Sequence, residues 1–350
     1  MKVSVIIPVY NAERFVREAV RSVLQHEVVS EVLLVEDGSK DESLAVCKGL
    51  AAEFPRVRLV QHPDGGNHGA SASRNLGIRS AASPFVAFLD ADDLFLPDRF
   101  DREKELFAAD PALDGVYGAT GVHIHDAQAK GLFEGRFSST LTTLRVAVPP
   151  EDLFDAFMGL SGILDLGHFS LIALTMRKTG LDRMNGLFNE SLAMSEDGEF
   201  IYRLAYYTRL APGSIAAPVS LRGVHVANRI TRDPDEDRSK RNMFKVLLEW
   251  AGNSALPDRY RKKLALDVAY YSLRCANTPE EEREAIRLVR EAPGVLKRID
   301  ALEAASSIIF GRDSLLDRAA RSVLRGLFRL VWLFRSGAPP VARSRISPVR

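Results

Sequence analysis

The sequence predicts an α/β fold in which a mostly parallel central sheet is flanked by helices and followed by a helical C-terminal extension. Over the first ninety residues, β-branched apolar runs such as VSVIIPV alternate with segments whose apolar residues recur at helical spacing. Such continuous apolar runs are typical of strands buried on both faces of a parallel sheet. Polar clusters also follow the runs, as is typical of the edge at which such a sheet binds its ligands.

Four strands and the helices between them are predicted for the first part of the chain. The strands are the runs VSVIIPV, EVLLVE, VRLVQH and PFVAFLD, at residues 3–9, 31–36, 57–62 and 84–90. The first helix follows from the apolar spacing between Phe15 and Leu24. The next two helices are predicted around residues 44–54 and in the small-residue segment GASASRNLGIRSAA, residues 69–82. This alternation predicts a parallel sheet covered by helices.

After Asp110 the sequence no longer alternates between apolar runs and segments of helical spacing. GVYGATGVHIHDAQAKGLFEGRF, residues 115–137, is predicted to form strands and turns rather than another crossover helix. A helix is predicted for residues 149–160, followed by a strand, a loop and a helix that begins near Glu196. Residues 231–239 are rich in charge, and the sequence beyond them is predicted to be mostly helical. We therefore divide the chain into residues 1–230 and a C-terminal region, 231–350. The first part is divided again into halves, 1–110 and 111–230.

The composition is that of a soluble globular protein. The chain has 350 residues, of which 46% are hydrophobic and 27% are charged, and its formal net charge is +1. Its two cysteines, Cys47 and Cys275, form no CxxC pair, so neither a disulfide framework nor a zinc site is indicated and a cytoplasmic location is expected. No secretory signal and no uncharged apolar run of membrane-spanning length is present.

An acidic cluster follows the fourth predicted strand. Asp90, Asp92 and Asp93 lie directly after the apolar run FVAFL. Three carboxylates repel one another unless a cation neutralises them, and oxygen ligands suit Mg²⁺ or Mn²⁺. The alternative is that the aspartates only cap the helix predicted for the following segment, PDRFDREKELF. Capping requires one carboxylate rather than three, so we favour a metal site that would hold a diphosphate.

Other polar motifs are found at corresponding positions. PVYNAERF follows the first strand and EDGSKDES follows the second, while SEDGEF opens the helix near Glu196. Taken alone, DGS is equally consistent with a tight turn, and SEDGE with an acidic helix start capped by Ser195. The position of DGS after a predicted strand favours a ligand-binding loop, whereas SEDGE without the other motifs favours the helix start.

Taken in order, the motifs resemble those of glycosyltransferase family 2, whose members have the GT-A fold. The resemblance covers roughly residues 3–230 and rests on VSVIIPVYNAERF, EVLLVEDGS, GASASRN, FVAFLDADD and NGLFNESLAMSEDGEF. It implies that residues 1–230 are a catalytic domain whose halves bind the nucleotide and the acceptor. Two departures, Glu36 before DGS and NGLFNE where GGFDE is usual, concern details of the site rather than the fold.

The resemblance also implies roles for individual residues. The nucleotide-binding positions that it implies are Pro8, Tyr10, Glu13, Asp37, Arg74, Asn75 and Asp90, with Arg74 and Asn75 near the diphosphate. Asp90 and Asp92 match the DXD motif for metal and ribose, His225 matches a late histidine near the metal, and Asp93 is a companion carboxylate. Asp197 matches the catalytic base, with Glu196 as its supporting neighbour.

The implied activity is metal-dependent, inverting transfer of a sugar from a nucleotide donor. A divalent Mn²⁺ or Mg²⁺ would stabilise the departing nucleoside diphosphate, and one base without a covalent partner implies inversion. The expected donor is a UDP-sugar and the expected acceptor is a saccharide or a lipid-linked saccharide in cell-surface polysaccharide or glycan synthesis. The alternatives are a sugar-phosphate nucleotidylyltransferase and a non-catalytic nucleotide-sugar-binding scaffold at the membrane.

The C-terminal region carries its own pattern. From Arg312 onward there are nine arginines and two aspartates. Residues 313–334 are predicted to form a cationic amphipathic helix that either lies on an anionic membrane surface or packs on the catalytic domain. We favour the membrane, which would make the protein peripheral on the cytoplasmic face. Nucleic acid is not an expected partner, because no basic patch with interleaved aromatic residues accompanies the site.

Overall fold

The structure is a computed structural model of the full chain. It describes residues 1–136, 140–163, 166–184, 186–226 and 235–276, and the single positions 278, 280, 281, 283, 284 and 288. The described residues fall into two compact units, the first within 1–157 and 163–234 and the second within 158–162 and 235–350. The cationic helix predicted at 313–334 lies outside the described residues.

The first unit contains ten strands and eight helices among its described residues. The strands are β1 Val3–Val9, β2 Val29–Glu36, β3 Val57–Gln61, β4 Phe85–Phe88, β5 Leu94–Phe95, β6 Gly115–Tyr117, β7 Ala119–Ile124, β8 Leu174–Arg177, β9 Leu210–Pro212 and β10 Pro218–Val224. The helices are α1 Val16–Leu24, α2 Ser43–Glu53, α3 Gly69–Ser80, α4 Asp101–Ala109, α5 Ala127–Arg136, α6 Leu153–Phe157, α7 Lys178–Asp182 and α8 Glu196–Tyr207.

The central sheet has the strand order β3-β2-β1-β4-β8-β6-β9. Strands β3, β2, β1 and β4 are parallel, as is the pair β6 and β9, whereas β8 runs antiparallel to both β4 and β6. The predicted mostly parallel α/β sheet is therefore confirmed. Its four leading strands are the four apolar runs identified in the sequence, and their ends agree with the predicted ends to within two residues.

The core explains why these runs form central strands. The side chains of β1, β2 and β4 are almost all buried, and the buried run Phe85–Leu89 ends at the acidic cluster. Helix α1 presents Val16, Ala19, Val20 and Val23 to this core at helical spacing. Because the strands are parallel, the loops after β1, β2, β3 and β4 all emerge at the same edge of the sheet.

A second sheet, not foreseen from the sequence, has the order β5-β10-β7. Strand β10 pairs in parallel with β7 and antiparallel with the two-residue strand β5, which directly follows the acidic cluster. Through these pairings the end of β10, including Gly223 and Val224, lies beside the turn formed by residues 90–93.

The structure corrects some of the predicted elements. Residues 127–136 form helix α5 rather than strands and turns, with Ala129 and Phe133 packed on Val224. The helix predicted at 149–160 is limited to Leu153–Phe157. Local sequence was a poor guide to α5, whose apolar residues pack on a sheet formed by distant segments of the chain.

The second unit is helical in its described part. Helix α9 spans Glu236–Asn253 and α10 spans Asp258–Cys275. Asp235 caps α9 by accepting a hydrogen bond from the backbone N–H of Arg238. Met243, Leu247 and Trp250 are buried along α9. None of the helices in the described residues combines the length and apolar character needed to cross a bilayer.

Candidate active site

The turn after β4 presents its aspartates in different ways. The side chains of Asp90 and Asp92 are 42% and 23% exposed, whereas Asp93 is buried. The backbone N–H of Asp93 donates to the carbonyl of Asp90, which closes a turn. Helix α4 begins only at Asp101, so this cluster does not cap it. The capping alternative raised by the sequence is therefore wrong for these residues.

Asp93 anchors the turn to β10. Its Oδ1 accepts a hydrogen bond of 2.7 Å from the backbone N–H of Gly223. Burial, followed by the neighbouring charges of Asp92 and Asp90, raises the pKa of Asp93 well above its ordinary value. Asp93 thus acts as a support beneath the turn, while Asp90 and Asp92 reach the surface.

His225 lies against Asp92. Its Nε2 is 3.1 Å from Asp92 Oδ2, and its ring stacks on Phe15 with a centroid distance of 4.6 Å. His125 contacts the same turn, with Nε2 3.3 Å from the carbonyl oxygen of Asp92. The structure therefore brings together Asp92 and His225, two of the three predicted metal ligands.

The donor set at this position suits a divalent cation. Carboxylate oxygens of Asp92 and Asp90 and an imidazole nitrogen of His225 are ligands that Mn²⁺ accepts. Within the ranges that the structure describes, however, no group of three or more such side chains is already arranged around a common point. Asp92 and His225 form a close pair, whereas Asp90 is turned toward Arg74.

Arg74, on helix α3, joins the acidic turn to helix α8. Its Nη2 donates to Asp90 Oδ1 at 2.8 Å, and its Nη1 donates to Asp197 Oδ1 at 2.9 Å. Nη1 also lies 3.4 Å from Glu196 Oε1. The Arg74 side chain is only 2% exposed. Burial alone would lower its pKa, but the charges of Asp197, Asp90 and Glu196 outweigh this and raise the pKa, so the guanidinium stays charged.

Asp197 lies in the first turn of α8 with its side chain 40% exposed, while its neighbour Glu196 is buried. Ser195, which precedes the helix, has a left-handed backbone with φ 62° and makes no side-chain capping bond. The acidic helix start at SEDGE is therefore confirmed, but its capping by the Ser195 side chain is wrong. The structure instead brings Asp197 to the same guanidinium as Asp90.

Asn75, next to Arg74 on α3, holds the loop before α8. Its Nδ2 donates to the carbonyl of Phe188 and to Glu190 Oε1, and its Oδ1 accepts from the backbone N–H of Phe188. Phe188 stacks on Phe200 of α8 at 3.8 Å. The resemblance implies a position beside the diphosphate for Asn75; in the structure its side chain is buried and bound to this loop.

The loops after β1 and β2 are tied together. Asn11 Oδ1 accepts from the backbone N–H of Lys40, and the backbone N–H of Asn11 donates to Ser39 Oγ. Glu13, one of the predicted nucleotide-binding residues, accepts from the backbone N–H of Glu42. Asn11 has a left-handed backbone, with φ 50°. Pro8 is partly buried at the end of β1, and Tyr10 beside it is 45% exposed.

Asp37 is buried beneath the loop that leads into α3. Its carboxylate accepts from the backbone N–H groups of His68 and Gly69 and from Asn67 Nδ2, at 2.8–2.9 Å. It therefore occupies the N-terminus of α3, where backbone N–H groups favour an anion. Gly38 has φ 67°, and a Cβ there would lie 2.7 Å from the backbone of Gly66, so only glycine fits this turn.

Three residues of the site are not identified by the sequence motifs. Phe15 is predicted only as an apolar position of the first helix, and neither His125 nor Gly223 is assigned a role by its local pattern. The usable signal in the sequence is the short spacing between Gly223 and His225 at the end of a strand. The three positions come from segments more than 90 residues apart in the chain; the pairing of β10 with β7 and β5 brings Gly223 and His125 to Asp92, and Phe15 stacks on His225 from the start of α1.

The sequence of this chain is similar to those of known glycosyltransferases. Residues 4–163 match the family model described as glycosyl transferase family 2. Over 160 residues, 42% of this chain, the sequence is 34% identical to an uncharacterised glycosyltransferase of Rickettsia conorii and spans only 25% of that protein. It is 28% identical to the succinoglycan biosynthesis protein ExoU of Rhizobium meliloti over 68% of each chain.

The solved structures extend the likeness to the fold. The structure of Staphylococcus aureus TarS residues 1–349 in complex with UDP-GlcNAc matches with a TM-score of 0.64, 15% sequence identity, and coverage of 95% of this chain and 92% of that one. At this identity the likeness is one of fold. The GT-A fold predicted from the sequence motifs is confirmed.

Proposed function

Because residues 4–163 match the family model of glycosyl transferase family 2, we propose that this chain transfers a sugar from a nucleoside diphosphate donor to a saccharide or lipid-linked saccharide acceptor. One observation carries the proposal. Arg74 contacts both Asp90, in the turn that would face the donor, and Asp197, at the start of the helix that would face the acceptor. A transferase needs these two functions in one cleft, since the acceptor oxygen must reach the donor carbon.

Asp197 is the proposed general base. Its carboxylate is 40% exposed at the first turn of α8, so it is accessible to an incoming hydroxyl group. Removing the hydroxyl proton as the new bond forms contributes about 10²- to 10⁴-fold in such reactions. With one base and no covalent partner assigned, the transfer would invert the anomeric configuration.

Asp92, His225 and Asp90 are the residues that would hold a divalent cation. Asp92 and His225 already lie 3.1 Å apart. When bound, Mn²⁺ or Mg²⁺ would neutralise charge on the leaving nucleoside diphosphate. Asp93 keeps the turn fixed from below through Gly223, so that the two exposed carboxylates stay on one side.

A UDP-sugar is the proposed donor and polysaccharide synthesis the proposed process. TarS binds UDP-GlcNAc and ExoU is named for succinoglycan biosynthesis, and these relatives support the choice. The nucleotide would lie on the loops after β1 and β2, near Pro8, Tyr10 and Glu13. The exposed Tyr10 ring offers a surface on which a base can stack.

The alternatives are less well supported. A nucleotidylyltransferase would carry a glycine-rich basic loop after the first strand, whereas PVYNAERF here is tied to the loop after β2 through Asn11 and Glu13. A non-catalytic scaffold would have no need of a carboxylate in the position of Asp197.

The test is a donor screen. The full chain is incubated with a panel of UDP-, GDP- and dTDP-sugars in Mn²⁺ or Mg²⁺, and nucleoside diphosphate release is measured. Any active pair is repeated with Asp92→Asn and Asp197→Asn, each expected to lower turnover by about 100-fold or more. Asp98→Asn is the matched control, because Asp98 is exposed in the segment after the acidic cluster. Turnover that survives in Asp197→Asn would remove Asp197 from the mechanism.

A further inference from the structure

Arg74 is a buried cation beneath two exposed acids. Its side chain is 2% exposed, whereas the carboxylates of Asp90 and Asp197, which it contacts, are 42% and 40% exposed. The guanidinium lies 5.5 Å from the centroid of the Phe188 ring, which adds a cation–π contact. The cation therefore supports the cleft from below, and the carboxylates are what the cleft presents.

The hydrogen bonds of Arg74 are directed at protein groups. Nη2 donates to Asp90, and Nη1 donates to Asp197 and approaches Glu196. Its Nε has no hydrogen-bond partner among the described residues but is buried, and both Nη nitrogens already donate to carboxylates, so little of the guanidinium is left for a donor diphosphate. This geometry differs from the diphosphate contact that the family resemblance implies for this position.

We propose that Arg74 is a positioning residue, which fixes the carboxylates of Asp197 and Asp90 relative to each other and does not itself bind the diphosphate. The inference rests on the proposed function, since it takes Asp197 as the base and Asp90 as part of the donor site. A planar guanidinium can hold two carboxylates at once in a fixed geometry, which a lysine ammonium cannot reproduce. Displacement of a reacting group by about 1 Å can cost about 100-fold in rate.

The primary test is Arg74→Lys, which keeps the positive charge but removes the planar guanidinium that holds the two carboxylates. With the donor found in the screen, kcat is expected to fall by about 10- to 100-fold, while KM for the donor and the dissociation constant of UDP, measured by calorimetry, change by less than about threefold. Arg79→Lys is the matched control, because Arg79 is exposed on the same helix and should keep full activity. A large rise in KM and in the UDP dissociation constant with kcat preserved would overturn the proposal.

Arg74→Ala distinguishes positioning from loss of fold. Millimolar guanidinium chloride is expected to restore part of kcat in this variant, whereas the same concentration of sodium chloride should not. Absence of rescue in a variant that melts as a folded protein would contradict the proposal, and if Arg74→Ala does not fold, the kcat and KM of Arg74→Lys decide.

Asp197→Asn separates this inference from the proposed function. If Asp197→Asn is inactive while Arg74→Lys retains kcat, only the positioning role fails. If Asp197→Asn keeps wild-type turnover, the assignment of the base fails.

Discussion

At the scale of single residues, Gly223 shows how closely the second sheet approaches the acidic turn. A Cβ at this position would lie 1.9 Å from the carbonyl oxygen of Asp92 and 2.8 Å from Nε2 of His125. Both contacts are far inside van der Waals distance, and one involves backbone that cannot rotate away. The same residue donates its N–H to Asp93. Glycine is therefore required where β10 passes the turn.

We expect Gly223→Ala to displace the turn. The substitution should destabilise the fold by about 1–3 kcal/mol through overpacking and lower turnover together with it, because Asp92 moves with its carbonyl. Urea unfolding and the donor assay measure the two effects. Gly49→Ala is the control, since a Cβ there meets no atom within 4 Å and alanine favours a helix, so stability should rise slightly. Unchanged stability and turnover in Gly223→Ala would refute the close approach.

Residue roles in the site were predictable only in part. Asp90 and Asp92 could be chosen because carboxylates that directly follow a strand are typical of ligand-binding loops, whereas the choice of Asp197 depended on the resemblance to glycosyltransferase family 2. The difference between Asp93, which is buried, and Asp92, which is partly exposed, could not be predicted, because adjacent residues in a turn can exchange these positions without changing the pattern. The contact of Arg74 with residues 16 and 123 positions away likewise depends on tertiary structure.

At the scale of elements, helix α3 connects several parts of the proposed cleft in the first unit. Its N-terminus is bound by Asp37 from the loop after β2, its middle carries Arg74 to the carboxylates, and Asn75 binds the loop before α8. Gly77 allows the helix to lie close to β1, since a Cβ there would be 2.4 Å from a methyl carbon of Ile6. The helix thus links the nucleotide side of the proposed cleft to its acceptor side.

Removing the carboxylate of Asp37 should destabilise the N-terminus of α3 and lower the free energy of unfolding. Asp37→Ala leaves the backbone N–H groups of His68 and Gly69 without their acceptor, and we expect a loss of about 1–3 kcal/mol in unfolding free energy. Thermal and urea unfolding measure it.

Asp64→Ala serves as the comparison for that substitution. Asp64 lies in the loop before α3 that Asp37 contacts, but it is exposed and accepts from His68 Nε2 and the backbone N–H of Gly66, so its removal should change stability little. Equal stability of the Asp37 and Asp64 variants would show that the capping contacts contribute nothing.

The elements themselves were predictable where their burial was uniform. Strands β1, β2 and β4 are buried on both faces and leave a continuous apolar pattern, so their positions agree with the sequence prediction. Strands β5, β7 and β10 are short or mixed in burial, and β5 has only two residues. Their pairing depends on partners distant in sequence, which is why the second sheet was not predicted.

At the scale of the whole molecule, charge is distributed unevenly along the chain. The net charge is +1, yet the residues from Arg312 onward contain nine arginines and two aspartates. The remaining chain is therefore acidic on balance. A lipid-linked acceptor would be presented at a membrane surface, where basic residues contribute about 1 kcal/mol each with anionic lipid. The sequence pattern of 313–334 is thus relevant to where the proposed reaction takes place.

We expect the full chain to sediment with vesicles that contain phosphatidylglycerol and to remain in solution with vesicles of phosphatidylcholine alone. Replacing Arg318, Arg321, Arg325 and Arg329 by glutamine removes four charges from the predicted polar face, and the fraction bound should fall steeply. Raising the salt concentration should have the same effect, because exposed charges are screened.

A matched variant, in which Arg259, Arg261, Lys262 and Arg283 become glutamine, removes four charges elsewhere in the chain and should leave binding nearly unchanged. If both variants pellet equally with anionic vesicles, the arginines of 313–334 do not direct membrane binding, and packing of that segment on the protein becomes the better hypothesis. If neither set of four substitutions changes donor hydrolysis, membrane binding and the proposed reaction depend on different residues. That separation is expected, since none of the eight substituted residues belongs to the proposed cleft.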